Sequence, residues 1–112
     1  MTRDGSLRCE LEKSKHTDEN GNQVTTIKCH GDLVSDAAGE IKELVRPLIP
    51  VGGRIIIDLG DVKHVDSAGL GALVGLKVSA VKQGSCMLEL ANMTPGMREL
   101  LRITHLMEMF SS

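Results

Sequence analysis

The apolar positions of this chain change period along its length. Leu7, Cys9 and Leu11 alternate with Arg8, Glu10 and Glu12, the period of two expected of a half-buried strand. Ser14 to Asn22 is polar and contains Asn20-Gly21, a dipeptide that favours a tight reversal. Val24 to His30 resumes a strand pattern, with Thr25, Ile27 and Cys29 on one face. Together these segments predict an opening antiparallel hairpin.

After Gly31-Asp32-Leu33 the period lengthens. Ser35 or Asp36 can cap a helix in which Ala37, Ile41, Leu44, Val45 and Leu48 share a face. Glu40, Lys42, Glu43 and Arg46 fall largely off that face. Pro47 weakens the last turn, and Pro50-Val51-Gly52-Gly53 ends it. Arg54 to Leu59 is a continuous apolar strand between turn residues, the pattern of a strand that is central in its sheet or buried on both faces. A second helix is predicted from about Ser67 to Gln83, stopping at Gly84, with Cys86 to Leu90 as the next strand. Thr94-Pro95 opens a third helix, Thr as cap and Pro as first residue, with Met97, Leu100 and Leu101 facing inward. Leu106 to Phe110 reads as a short final strand. The order is ββαβαβα(β), an α/β fold with a mixed sheet of four to five strands and about three helices. Strand–helix–strand units cross over right-handed, so the helices must cover at least one face of the sheet.

A length of 112 residues allows one domain, residues 1–112, with 1–6 expected as a flexible lead. The 41% apolar and 25% charged residues suit a soluble globular fold and exclude a disordered tail. A net charge of −2 leaves no basic footprint for nucleic acid or an anionic membrane, and Phe110 as the one aromatic leaves no surface for stacking bases. No apolar run approaches the roughly 18 residues of a membrane span. Met1 to Gly5 lacks the apolar segment and cleavage pattern of a signal peptide, which points to the cytoplasm. Cys9, Cys29 and Cys86 are odd in number, far apart in sequence and without C-x-x-C spacing, so they read as reduced, small, buried residues. His16, His30, His64 and His105 lack metal-ligand spacing and read as surface or turn residues. Asp58 and Asp61 read as loop or capping carboxylates, and the Met residues as fillers of core gaps. No cofactor and no metal are expected.

The informative stretch runs from Asp58 to Gly71. A strand is expected to end, a short loop to follow, and a helix to begin at Asp66-Ser67. Asp66 is a good cap because its carboxylate can accept the unpaired N–H groups of the first turn. Ser67 then falls at the first helical position, on the surface. Gly69 and Gly71 each cost about 1 kcal/mol of helix stability against Ala, so bare backbone is wanted there, either for close helix–sheet packing or for a partner's approach. Leu70, Leu73, Val74, Leu76, Val78 and Val81 occupy more than one face, and Gly71, Gly75 and Ser79 form a small-residue stripe. Full enclosure of such a helix is hard in a domain of this size, so its N-terminal half is expected to offer a protein-contact surface.

Two enzyme-like readings fail on spacing. Ser67 with His64 invites a nucleophile–base pair, but the G-x-S-x-G elbow has Val65 where it needs Gly. The run from Gly69 to Val74 misses the third glycine of G-x-G-x-x-G by one place, since the next is Gly75, and it lies some ten residues past the expected strand.

The block from Gly31 to Phe110 resembles the STAS domain of bacterial anti-sigma factor antagonists. The resemblance rests on Gly31-Asp32-Leu33, on Ile55-Ile56-Ile57-Asp58-Leu59, on Asp66-Ser67-Ala68-Gly69-Leu70-Gly71, on Gly84 before a strand and on Thr94-Pro95 before a helix. It implies a non-enzymatic switch. An anti-sigma factor that is also a serine kinase would be bound while Ser67 is unphosphorylated and released once Ser67 carries phosphate, and a phosphatase would restore binding. It implies Asp32, Asp66, Ser67, Ala68, Gly69, Leu70 and Gly71 as partner-binding residues and a chain that is monomeric when alone. Many relatives carry Ser or Thr where this chain has Ala68, which leaves Ser67 the one hydroxyl of the motif. Relatives often add a terminal helix, which would lie outside a sequence that stops at Ser112. STAS domains also serve as structural subunits of stress-sensing or lipid-transport complexes, where Ser67 would carry no phosphate.

Overall fold

The computed structural model describes residues 8–35 and 37–111, and for residues 8–16 and 111 the backbone alone. The lead of residues 1–6, Leu7, the alternative cap Asp36 and the facing of the first strand's side chains lie outside what is described.

Strand β1 (Arg8–Thr17) pairs antiparallel with β2 (Gln23–Leu33), as the alternating pattern and Asn20-Gly21 require. The turn closes on Asp18, whose carboxylate accepts the N–H groups of Asn20 at 2.9 Å and Asn22 at 2.8 Å. From β2 the chain crosses through α1 (Ala37–Val45) and one 3-10 turn (Arg46–Leu48) to β3 (Gly53–Val65), parallel to β2. It crosses again through α2 (Ser67–Gln83) to β4 (Cys86–Ala91), parallel to β3, then closes with α3 (Pro95–Ile103) and α4 (Met107–Ser111). The sheet order is β1-β2-β3-β4. The continuous apolar run is thus an interior strand. Ile55, Ile57 and Leu59 are buried, while Ile56 and Asp58 on the opposite face are half-buried beside the Arg54–Glu89 ion pair. Ile27, Leu33, Ile41, Val45, Leu73, Leu88 and Leu101 complete the core between sheet and helices.

Both predicted caps of the later helices form. Thr94 Oγ1 accepts from Met97 N at 3.3 Å with Pro95 at the first helical position, and Gly84 ends α2 in the left-handed region at φ 81°. Thr94→Ala is expected to cost about 1 kcal/mol, read as a lower urea midpoint at unchanged m.

Two expectations are corrected. The third strand does not stop at Leu59 but runs to Val65, so no loop separates it from α2. Its ladder with β2 shifts between Lys28 and His30 and between Gly31 and Asp32, and these irregularities absorb the turn-prone residues Gly60 and Asp61. The final segment is helical, not a strand. His105, at φ 60°, turns the chain out of α3, and Leu106, Met107 and Phe110 then recur at helical spacing against the core. An apolar run this short does not distinguish the two periods, and burial decided it. Cys29 and Cys86 are buried as read, and the β1–β2 ladder sets Cys9 opposite Cys29.

Lys77 of α2 is buried. Its ammonium donates to the Leu88 carbonyl at 2.9 Å, which is what allows a charge to sit on the sheet side of the helix.

Candidate functional site

Strand β3 delivers the chain directly into α2, and Asp66 is the single residue between them. It is extended, at φ −101° and ψ −174°, and its Oδ1 accepts from Gly69 N at 2.9 Å, the predicted cap. The same carboxylate reaches across to the β2–α1 connection. Its Oδ2 accepts the Ser35 N–H at 3.1 Å and the Ser35 hydroxyl at 3.4 Å. Ser35 holds φ at 40°, an uncommon value for a residue with a side chain, and Asp66 fixes it there. One carboxylate therefore locks the mouth of α2 to the end of β2.

The Gly69 N–H bond, supported by those from Ser35 and Ala68, holds the Asp66 carboxyl below the usual carboxylate range. A depressed folded value means the clamp contributes stability that is complete above the unfolded carboxyl's pKa and is lost as pH falls through the folded one. Asn accepts the same bonds without titrating. The stability advantage of wild type over Asp66→Asn is therefore expected to shrink on acidification below about pH 4, read from paired thermal melts.

Ser67 stands at the first helical position and is exposed, and among the described residues its hydroxyl has no hydrogen-bond partner. Ala68, Gly71, Gly75 and Ser79 continue the exposed side of α2, which carries no formal charge until Lys82. Gly69 and Leu70 do not belong to that surface. Leu70 is 7% exposed, and a Cβ on Gly69 would sit 2.0 Å from the Leu33 carbonyl oxygen. The expectation that these two touch a partner is corrected, because they pack inward and set the height of the first turn. The two readings of the glycines thus divide between positions. Gly69 is required by close packing, whereas Gly71 faces open space.

Asp32 and His64 are partners in the β2–β3 ladder, and Asp32 Oδ1 meets His64 Nδ1 at 3.0 Å. Asp32, 27% exposed, is thus engaged in holding His64, 74% exposed, at the rim of the site. A second cross-strand pair, His30 with Asp61 at 2.6 Å, lies farther back on the same strands. The sequence gives no local signal of these pairs, since the partners are 31 or 32 positions apart and meet only through the ladder. Asp58 and Asp61, the other carboxylates of the Asp58–Gly71 stretch, lie away from Ser67. They precede it by nine and six positions of mostly extended chain, roughly 20–30 Å, well beyond the screening length of about 8 Å. The carboxylate next to Ser67 along the chain is Asp66.

Beside His64 a hollow of about 270 Å³ opens between the end of β3 and α3, lined by Lys63, His64, Val65, Thr94, Met97 and Leu100. Sequence spacing could not reveal it, because it depends on where α3 packs against the end of β3. Among the described residues no cluster of three or more His, Cys, Asp or Glu side chains is placed to hold a metal ion, and no helix is long and apolar enough to cross a membrane.

Comparison with known proteins follows the same lines. A family model described as "Mlab, STAS domain" matches residues 16–110. An anti-sigma factor antagonist from Mycobacterium paratuberculosis superposes with a TM-score of 0.79 at 17% identity, over 99% of this chain and 88% of that one. The Bacillus cell fate determinant SpoIIAA in its phosphorylated form gives a TM-score of 0.64 at 22% identity, over 88% of this chain and 86% of that one. The murine anion transporter Solute Carrier 26 family member A9 gives 0.67 at 16% identity, over 89% of this chain but 18% of that one. Similarity at these identities establishes the fold.

Proposed function

The chain belongs to the STAS domain family, and from that premise we propose that it is an anti-sigma factor antagonist, a protein-binding switch without catalytic activity of its own. Its partner is an anti-sigma factor that is also a serine kinase, bound in the cytoplasm by a chain that is monomeric when alone. The carrying observation is the state of Ser67. Its hydroxyl is exposed at the entrance of α2, has no hydrogen-bond partner among the described residues, and adjoins a neutral strip of Ala68 and Gly71. Two fold neighbours, one of them solved in a phosphorylated form, agree with this reading.

The switch follows from charge. Phosphate on Ser67 adds about −1.5 to −2 charges and three acceptor oxygens at a helix N-terminus, where the helix dipole favours it, so the fold survives. In a tight interface the same dianion must be stripped of water without a partner built for it, and the complex is lost. A phosphatase acting on phospho-Ser67 restores binding. Ser67, Ala68 and Gly71 make the contact, Asp32 and Asp66 hold the surrounding elements in place, and Gly69 and Leu70 support the turn from beneath.

A second reading is a STAS structural subunit of a stress-sensing or lipid-transport assembly in which Ser67 is never modified. Its support is that the murine transporter carries this fold as a small part of a larger chain. A kinase reaction separates the two. With the partner kinase and ATP, intact-mass analysis should show one phosphate on the wild type and none on Ser67→Ala. A chain that binds its partner yet takes up no phosphate at Ser67 overturns the switch and leaves the structural subunit.

A further inference from the structure

We propose that Cys9 and Cys29 form a reversible disulfide that staples the edge strand β1 to β2, made by exchange with a small disulfide such as oxidised glutathione. The ladder carries the inference. From Arg8↔His30 to Lys13↔Thr25 the β1–β2 register is unbroken, with Cys9 opposite Cys29, and its one irregularity lies beyond Lys13. Residues directly opposite in an antiparallel pair have Cα atoms about 4.5–5.5 Å apart. A disulfide spans Cα separations of about 4.4–6.8 Å, so the backbone need not move far to be bridged.

The third cysteine does not compete. Cys86 pairs in register with Gly53 on β4, the opposite edge of the sheet from β1. Burial also pushes its thiol up, which keeps it poorly ionised and slow to exchange.

Access comes from the edge. β1 is hydrogen-bonded to a strand on one side only, whereas Cys29 is 1% exposed in the closed ladder. When β1 opens, a Cys thiolate attacks the small disulfide, releasing one small thiol and forming a mixed disulfide. The second Cys, giving up its proton to water, displaces the other small thiol, and the Cys9–Cys29 bond closes as β1 re-pairs. Two cysteine thiols are oxidised and one small disulfide is reduced to two thiols, so atoms and electrons balance. A small dithiol reverses the reaction.

The test uses the full chain equilibrated with reduced and oxidised glutathione, quenched in acid, denatured, alkylated and weighed. The expected product has lost the mass of two hydrogens and takes up one alkyl group instead of three. Its non-reduced digest should contain a Cys9–Cys29 linked peptide, and that peptide should be absent from Cys9→Ser and retained in Cys86→Ser. Hydrogen exchange of the Arg8–Lys13 amides should slow about tenfold or more on oxidation. Three alkylated thiols, glutathione left on Cys9, or a Cys86-linked dimer as the main product would each overturn the proposal. If Cys9→Ser fails to fold, the linked peptide of the wild type still decides.

Discussion

Ser67→Asp is expected to weaken binding to the partner kinase about a hundredfold, while Ser67→Ala binds as the unmodified protein does and no longer responds to the kinase. The site makes this experiment unusually clean. The Ser67 side chain is exposed and touches no core, so neither substitution disturbs packing. A carboxylate at the first position of a helix is favourable for the helix itself, so Ser67→Asp should melt no lower than wild type. Whatever is lost then belongs to the interface. Burying an unpartnered carboxylate there costs about 3 kcal/mol, which is the hundredfold. Phosphoserine carries up to twice the charge and should lose more. Titration calorimetry with wild type, both variants and the phosphorylated protein measures all four, and equal affinities would remove the switch.

The parts of this protein that were legible in its sequence are those whose cause is local. Asn20-Gly21, the caps Asp66 and Thr94, the stop at Gly84 and the α2 boundaries each follow from two to four neighbouring residues, and each is where it was expected. What escaped depends on partners far along the chain. The extension of β3 to Val65 needs β2 alongside it, because Gly60-Asp61 reads as a turn until a ladder irregularity accommodates it. The helical end at Met107–Ser111 follows from what Phe110 packs against, not from its neighbours in sequence. The site divides in the same way. Ser67 and its cap were evident from Asp66-Ser67 before a helix. The reach of Asp66 to Ser35, the grip of Asp32 on His64 and the hollow beside α3 exist only once β2, β3 and α3 are assembled.

Gly69→Ala and Gly71→Ala, two residues apart on one helix, are expected to move stability in opposite directions. At Gly69 a methyl group would lie 2.0 Å from the Leu33 carbonyl oxygen and 2.9 Å from its carbonyl carbon. Those atoms are backbone in an interior strand and cannot swing aside. The first turn of α2 must lift instead, which breaks the Asp66 N–H bond to the same carbonyl and pulls Asp66 from Ser35. Overpacking of this kind reaches about 3 kcal/mol or more, far above the gain in helix propensity. At Gly71 nothing lies within 4 Å, so the propensity gain of about 1 kcal/mol stands alone and the variant should be the more stable one. Urea unfolding of the two variants beside wild type reads both signs, and a Gly69→Ala protein as stable as wild type would mean that α2 does not sit on β2 as described. The same Gly71→Ala protein also probes the surface. If a partner's backbone approaches α2 at this bare position, the added methyl group weakens binding in a chain that has become more stable, a combination that loss of folding cannot produce. A stabilised Gly71→Ala that binds as wild type does would take Gly71 out of the contact and leave it to Ser67 and Ala68.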